Sequence, residues 1–74
     1  MTQLAGFSGR EVIKRFERLG YRTVRQRGSH VRLRHFDAVR RRPLTAPLHR
    51  EIKIGLLRQL IQDAGLRVED FLNL

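Results

Sequence analysis

The first third of the chain carries a helical pattern of apolar residues. Ser8 and Glu11 have the spacing of a capping box, and Gly20 follows where a helix-ending glycine belongs. Between these signals the apolar residues recur at steps of three and four, at Val12, Ile13, Phe16 and Leu19. The pattern predicts a helix over about residues 9–19.

A period of two then replaces the helical period and predicts a hairpin. Residues 21–27 contain strand-favouring side chains, and Gly28 accepts the positive φ of a tight turn. In the run 30–36 apolar and basic residues alternate, so Val31 and Leu33 point to one side of a strand. The opposite, cationic side carries His30, Arg32 and Arg34.

The rest of the chain predicts one more strand and two helices. Residues 42–47 favour a short strand, and Pro43 and Pro47 indicate an edge strand or one bounded at its ends. Residues 53–64 have a helical apolar face, and a shorter apolar pattern follows to the end. The order α-β-β-β-α-α packs most economically as an α+β fold, with helices on one face of a three-stranded antiparallel sheet.

Composition limits what such a chain does. Its 74 residues fit a single domain, 1–74, and 41% hydrophobic residues suffice for a small core. The absence of cysteine excludes disulfides and thiolate metal sites. No apolar run approaches the roughly 18 residues of a membrane span, and no secretion signal is visible. We therefore expect a cytoplasmic protein with no membrane partner.

Charge gives the first indication of function. Sixteen Lys and Arg against seven Asp and Glu give a net charge of +9, and most of the cations are arginine. The excess lies within residues 10–50, whereas residues 51–74 are nearly balanced. Arginine suits bidentate phosphate contacts, so a polyanion, most commonly a nucleic acid, is the expected partner.

His30 is the candidate for catalysis because histidine transfers protons near neutral pH. Arg32 and Arg34 on the same strand face would stabilise a negatively charged transition state. Gly28 allows a phosphate to approach the turn backbone, and Ser29 can donate a hydrogen bond to it. The alternative interpretation of His30 is a surface histidine without a role.

Other polar residues have weaker signals. His35 is expected on the opposite face from His30, at the strand end or core edge. His49 is a candidate for a second proton-transfer or phosphate-binding group, with a structural role as the alternative. The first helix carries a basic stripe that is a candidate RNA contact, formed by Arg10, Lys14 and Arg18. No metal-ligand spacing or nucleotide-binding loop is present, so no metal or cofactor is expected.

Four motifs follow one another along the chain: Arg27-Gly28-Ser29-His30, Pro47-Leu48-His49, Lys53 to Ile61, and Ala64-Gly65-Leu66 followed by Glu69-Asp70-Phe71-Leu72. Together, from about Ser8 to Leu74, they resemble the HicA (YcfA-like) toxin family of bacterial toxin–antitoxin systems. Leu56 departs from the family by replacing a frequent threonine, and Arg27 replaces a common lysine. The run 40–42 is more basic than the family pattern and is expected to strengthen RNA binding.

The resemblance implies a fold like the double-stranded-RNA-binding domain and a ribosome-independent endoribonuclease that cleaves mRNA and stops growth. It further implies that His30 is catalytic, that Arg27 belongs to the RNA-binding hairpin, and that a HicB-type antitoxin covers the basic face. Two other functions remain open from the residues alone. One is a non-catalytic RNA-binding module, and the other is an interaction subunit whose basic face docks an acidic protein.

Overall fold

Three helices and three strands occur in the predicted order in the computed structural model, which describes residues 3–74. The predicted domain limits, 1–74, extend two residues beyond this range. The elements are α1 (Gly9–Leu19), β1 (Arg22–Arg27), β2 (His30–Arg34), β3 (Leu44–Pro47), α2 (Ile54–Asp63) and α3 (Val68–Leu72). The strands form one antiparallel sheet in the order β1-β2-β3. The predicted α+β class is confirmed, and β3 is an edge strand.

Helix α1 begins and ends at the predicted signals. The Ser8 hydroxyl accepts a hydrogen bond from the Glu11 N–H (3.2 Å), and the Glu11 carboxylate accepts one from the Ser8 N–H (3.1 Å). These bonds lower the pKa of Glu11. Gly20 ends the helix in the left-handed region (φ 113°), with its N–H donating to the Glu17 carbonyl. The capping box and the terminal glycine therefore fix the length of α1.

The hydrophobic core lies on one face of the sheet. Val31 and Leu33 of β2 are buried there, as the alternation predicts, together with Leu44 and Ala46 of β3. The helices close this layer with Val12, Ile13, Phe16, Leu57, Leu60, Ile61, Ala64 and Phe71. Full burial of one such side chain stabilises the fold by about 1.5–3 kcal/mol. The other face of the sheet is left without a covering element among the described residues.

One arginine of α1 is structural. The Arg15 guanidinium lies over the rings of Phe7 and Phe71, 5.0 and 5.5 Å from their centroids. It also donates to the carbonyls of Phe71, Leu72 and Leu74 at 3.0–3.3 Å. The Phe71 carbonyl also accepts a hydrogen bond from the Leu74 N–H (3.1 Å), and Arg15 adds a side-chain donor where the last carbonyls of a helix lack helical partners. Arg15 therefore joins the last helix to the first and is not available to a ligand.

His35 occupies the core edge, as predicted, and Tyr21 lies beside it in the core. The His35 side chain is only 8% exposed, and its Nδ1 accepts a hydrogen bond from the Asp37 N–H (3.0 Å). The proton is therefore on Nε2, which lies 3.0 Å from the Leu19 carbonyl and donates to it. Burial raises the pKa of the Tyr21 phenol to about 12, and its hydroxyl donates to the Arg42 carbonyl (2.8 Å). Both polar side chains are thus hydrogen-bonded within the fold.

Two helical glycines predict opposite effects of substitution by alanine. A Cβ at Gly9 would overlap the Pro47 carbonyl oxygen and lie 2.9 Å from Leu48 Cα, whereas one at Gly55 would meet no atom within 4 Å. We expect Gly9→Ala to lower the free energy of unfolding by about 1–3 kcal/mol through overpacking. The matched control Gly55→Ala should raise it by up to about 1 kcal/mol through helix propensity. Urea unfolding measures both values, and equal effects would contradict the close packing at Gly9.

Candidate functional site

A β-bulge brings the arginines of β1 onto one face of the sheet. Positions 22, 25 and 27 cannot all lie on the same face of a regular strand, because side chains alternate with a period of two. The pairing runs Thr23 with Leu33 and then Arg25 with Arg32, so Val24 is the additional residue. The face opposite the core, here called the outer face, consequently carries Arg22, Arg25, Arg27, His30, Arg32 and Arg34.

Like charges oppose one another across this face. Arg22 pairs with Arg34 and Arg25 with Arg32, while Arg27 lies opposite His30. Directly opposed like charges destabilise a sheet by about 0.2–1 kcal/mol per pair. The three strands contain no acidic residue that would offset the repulsion. The outer face is therefore a strongly electropositive surface whose repulsion a bound polyanion would relieve.

The outer face contains a depression of about 260 Å³, lined by Val24, Arg25, Arg32 and Arg34. Arg32 is half-buried, and its Nη1 donates a hydrogen bond to the Thr45 hydroxyl (2.8 Å). This bond holds the guanidinium across the boundary between β2 and β3, so its orientation is partly fixed before any ligand binds. Three guanidinium groups around one depression have the chemistry of a phosphate site.

His30 is the first residue of the central strand, and its backbone is held on both sides. It opposes Arg27 on β1 and Pro47 on β3. The preceding two-residue turn has Gly28 in the positive-φ conformation (54°). The Ser29 carbonyl accepts a hydrogen bond from the Leu48 N–H (2.6 Å). The His30 side chain is exposed, so the site presents an accessible imidazole on a fixed backbone.

The segment carrying His49 leaves β3 at the same end of the sheet as His30. His49 lies two residues after Pro47, which is the β3 partner of His30. Its side chain is exposed, and its backbone carbonyl accepts a hydrogen bond from the Gly9 N–H (2.9 Å). The backbone of His49 is thus anchored against the beginning of α1. Its assignment as a second proton-transfer or phosphate group stays a prediction.

The basic stripe of α1 lies on a different surface. Arg10 and Lys14 border a groove of about 340 Å³ between α1 and β1, together with Thr23 and Gln26 of the inner sheet face. Arg18 donates a hydrogen bond to the Leu74 carbonyl (2.9 Å). The structure therefore does not bring these three side chains together with His30, although all are exposed. Their contact with RNA stays a prediction for a second basic surface.

Some basic residues have roles that sequence patterns do not reveal. Arg22 joins the outer face only because of the bulge, since the regular register of residues 25–27 continued along β1 would turn Arg22 to the core side. Arg41, in the run expected to strengthen RNA binding, is half-buried and donates to the Ala64 carbonyl (2.7 Å). It caps the end of α2, because that carbonyl lacks a helical partner. The same run thus contributes to the fold as well as to the charge.

The fold and the site define a small α+β protein with one strongly cationic sheet face. Residues 9–66 match the family model for the HicA toxin of bacterial toxin–antitoxin systems. The match covers more than half of the chain, which therefore belongs to the HicA toxin family and acts as a toxin with an antitoxin partner. A search of curated proteins finds no match.

Within residues 3–74, no helix combines the length and the apolar character needed to cross a membrane. Over the same range, no group of three or more His, Asp or Glu side chains is arranged to hold a metal ion. The Asp and Glu residues of this range all lie outside the three strands of the sheet.

Removing one charge from the outer face should stabilise the fold. We expect Arg25→Gln to raise the free energy of unfolding by about 0.2–1 kcal/mol, because it removes the repulsion from Arg32. Arg50→Gln is the matched control, since Arg50 is exposed outside the sheet, and its effect should stay within about 0.5 kcal/mol. Chemical unfolding at low and high salt measures both. A destabilised Arg25→Gln, or a gain that does not shrink with salt, would contradict the electrostatic origin.

Proposed function

We propose that this toxin is a metal-independent endoribonuclease that cleaves mRNA at the outer face. The observation that carries the proposal is the position of His30, an exposed imidazole on the same sheet face as five arginines. Histidine supplies proton transfer and arginine supplies charge stabilisation, which are the two requirements for RNA cleavage by its own 2′-hydroxyl. The family resemblance, which assigns catalysis to the histidine of the Gly-Ser-His motif, agrees with this placement.

The chemistry balances without a cofactor. The 2′-oxygen attacks the adjacent phosphorus and loses its proton, while the bond from phosphorus to the 5′-oxygen breaks and that oxygen gains a proton. The products are a 2′,3′-cyclic phosphate and a 5′-hydroxyl. His30 transfers one of the two protons, and His49 is the candidate for the other. Arg32 and Arg34 bind the phosphoryl oxygens, on which negative charge increases during the attack.

The turn before His30 supports the same assignment. A Cβ at Gly28 would meet no atom within 4 Å, so the space around the turn is open to a phosphate. Gln26 Nε2 donates to the Gly28 carbonyl (3.1 Å), and the Leu48 N–H holds the Ser29 carbonyl. Both turn carbonyls are thus occupied, and the Ser29 hydroxyl is available to a phosphate oxygen. Arg27 lies opposite His30 and completes the cationic surroundings of the imidazole.

The competing candidate is a non-catalytic RNA-binding module. The order α-β-β-β-α is that of the double-stranded-RNA-binding-domain-like fold which the resemblance implies, and the outer face alone would bind RNA. Both candidates predict salt-dependent RNA binding, because arginines release counterions from the phosphate backbone. They differ only in whether the bound strand is cut.

Substitution of His30 separates binding from cleavage. We expect His30→Ala to slow cleavage of labelled RNA by about 10²–10⁴-fold, because proton transfer is lost, while RNA affinity changes little. The wild-type reaction should proceed in EDTA and leave cyclic-phosphate ends. His49→Ala in the same assay tests the second group. Cleavage by His30→Ala at the wild-type rate would refute the assignment, and RNA binding without cleavage by the wild type would favour the non-catalytic module.

The antitoxin, which we propose is of the HicB type, should cover the outer face and His30. We expect the purified complex to lack ribonuclease activity. Arg25→Glu should weaken the complex about tenfold or more, because it reverses a charge at the proposed interface. Arg58→Glu on α2 is the matched control and should bind the antitoxin with unchanged affinity. Titration calorimetry measures the affinities, and full cleavage activity in the purified complex would contradict the masking of His30.

A further inference from the structure

The segment between β2 and β3 exposes two large apolar side chains. Phe36 is 91% exposed and Val39 is 95% exposed, although burial of such side chains normally stabilises a fold. Neither belongs to the hydrophobic core. Phe36 follows Arg34, the last residue of the outer face on β2, by two positions. Both side chains therefore lie exposed in the segment that follows the cationic strand β2, and they are together called the apolar patch.

The ring of Phe36 is supported from behind. It stacks on the His35 imidazole at 4.5 Å between centroids, with 29° between the planes. His35 is in turn fixed by hydrogen bonds to the Leu19 carbonyl and the Asp37 N–H. Tyr21 packs edge-on against His35, and Phe16 against Tyr21. Phe36 is thus the outermost ring of an aromatic column that begins in the core, and its other side is open to solvent.

The charges around the patch favour one kind of occupant. Arg34 belongs to the outer face, and Arg40 is exposed close to Phe36 along the chain. The nearest acid, Asp37, accepts a hydrogen bond from the Arg40 N–H (3.3 Å) and lies 3.9 Å from its guanidinium. A flat, open ring in a cationic setting is the arrangement on which unpaired nucleobases stack. A patch that docked a protein would need more apolar area than two side chains provide.

We propose that Phe36, with Val39 three positions later in the chain, is a stacking platform for an unpaired nucleobase of RNA bound on the outer face. The inference rests on the proposed function, because it requires RNA on that face. His30 and Phe36 are six positions apart, which corresponds to at most about 20 Å of extended chain. The stacked base is therefore several nucleotides from the cleaved bond. Stacking selects an unpaired base there with little regard to its identity.

Binding measurements in a His30→Ala background, which keeps the RNA intact, test the platform. We expect Phe36→Ala to weaken binding of single-stranded RNA about fivefold or more, and Phe36→Tyr to restore it to within about twofold. Inorganic polyphosphate has the charge of RNA without bases, so Phe36→Ala should leave its affinity unchanged. The matched control for both ligands is Leu56→Ala, because Leu56 is an exposed apolar residue that lies elsewhere, on α2.

A spectroscopic variant reports the contact directly. The chain contains no tryptophan, so Phe36→Trp introduces a single indole at the platform. We expect single-stranded RNA to quench its emission through stacking, and polyphosphate at saturating concentration to leave the emission unquenched.

The outcomes distinguish failure of the platform from failure of the proposed function. If the parent protein binds RNA and Phe36→Ala binds it equally well, the stacking inference is overturned while the proposed function stands. If Phe36→Ala weakens only the complex with the antitoxin, the patch is a protein interface and the inference is likewise overturned. If the parent binds no RNA, both proposals fail together.

Discussion

The burial of one side of β2 is the constraint on which the rest of the structure depends. Val31 and Leu33 enter the core, so the period of two sends His30, Arg32 and Arg34 outward. A shift of one residue would bury arginine and expose the core, and the register is therefore strongly specified. The helices cover only the apolar side, and the outer face stays available. A single alternation thus separates the part of the sheet that stabilises the fold from the part that carries the candidate chemistry.

The outer face combines the candidate chemistry with an unfavourable clustering of positive charges. Two cross-strand pairs of arginines oppose folding, whereas the buried layer on the other side favours it. The fold tolerates this conflict because repulsion between exposed charges is small compared with the burial of the core side chains. A polyanion or an acidic protein surface would remove the repulsion on binding. If RNA and the antitoxin bind there as proposed, each would neutralise the same arginines and so raise the stability of the toxin.

The predictability of each feature depends on how far apart along the chain its causes lie. Helix α1 and strand β2 follow from local periodicity and from caps such as Gly20, and the sequence predicts them closely. The hairpin turn and the exposure of His30 follow from the same local signals. The bulge at Val24 does not, because no apolar neighbour indicates the register of β1. The roles of Arg15 and Arg41 also escape prediction, since each caps a helix that is distant in sequence.

The buried His35 gives this protein an internal spectroscopic reporter. Its Nε2 proton is held by the Leu19 carbonyl and sheltered from water, so it should exchange slowly enough to give a resolved proton resonance. The Phe36 ring stacks on the same imidazole, so the chemical shift of that proton depends on the ring current beside it. An aromatic group that displaces or reorients Phe36 would change this ring current and shift the resonance. The proton resonance of His35 Nε2, in a spectrum of the unlabelled protein, would thus report whether a ligand is bound at Phe36. No probe would have to be attached to the cationic face.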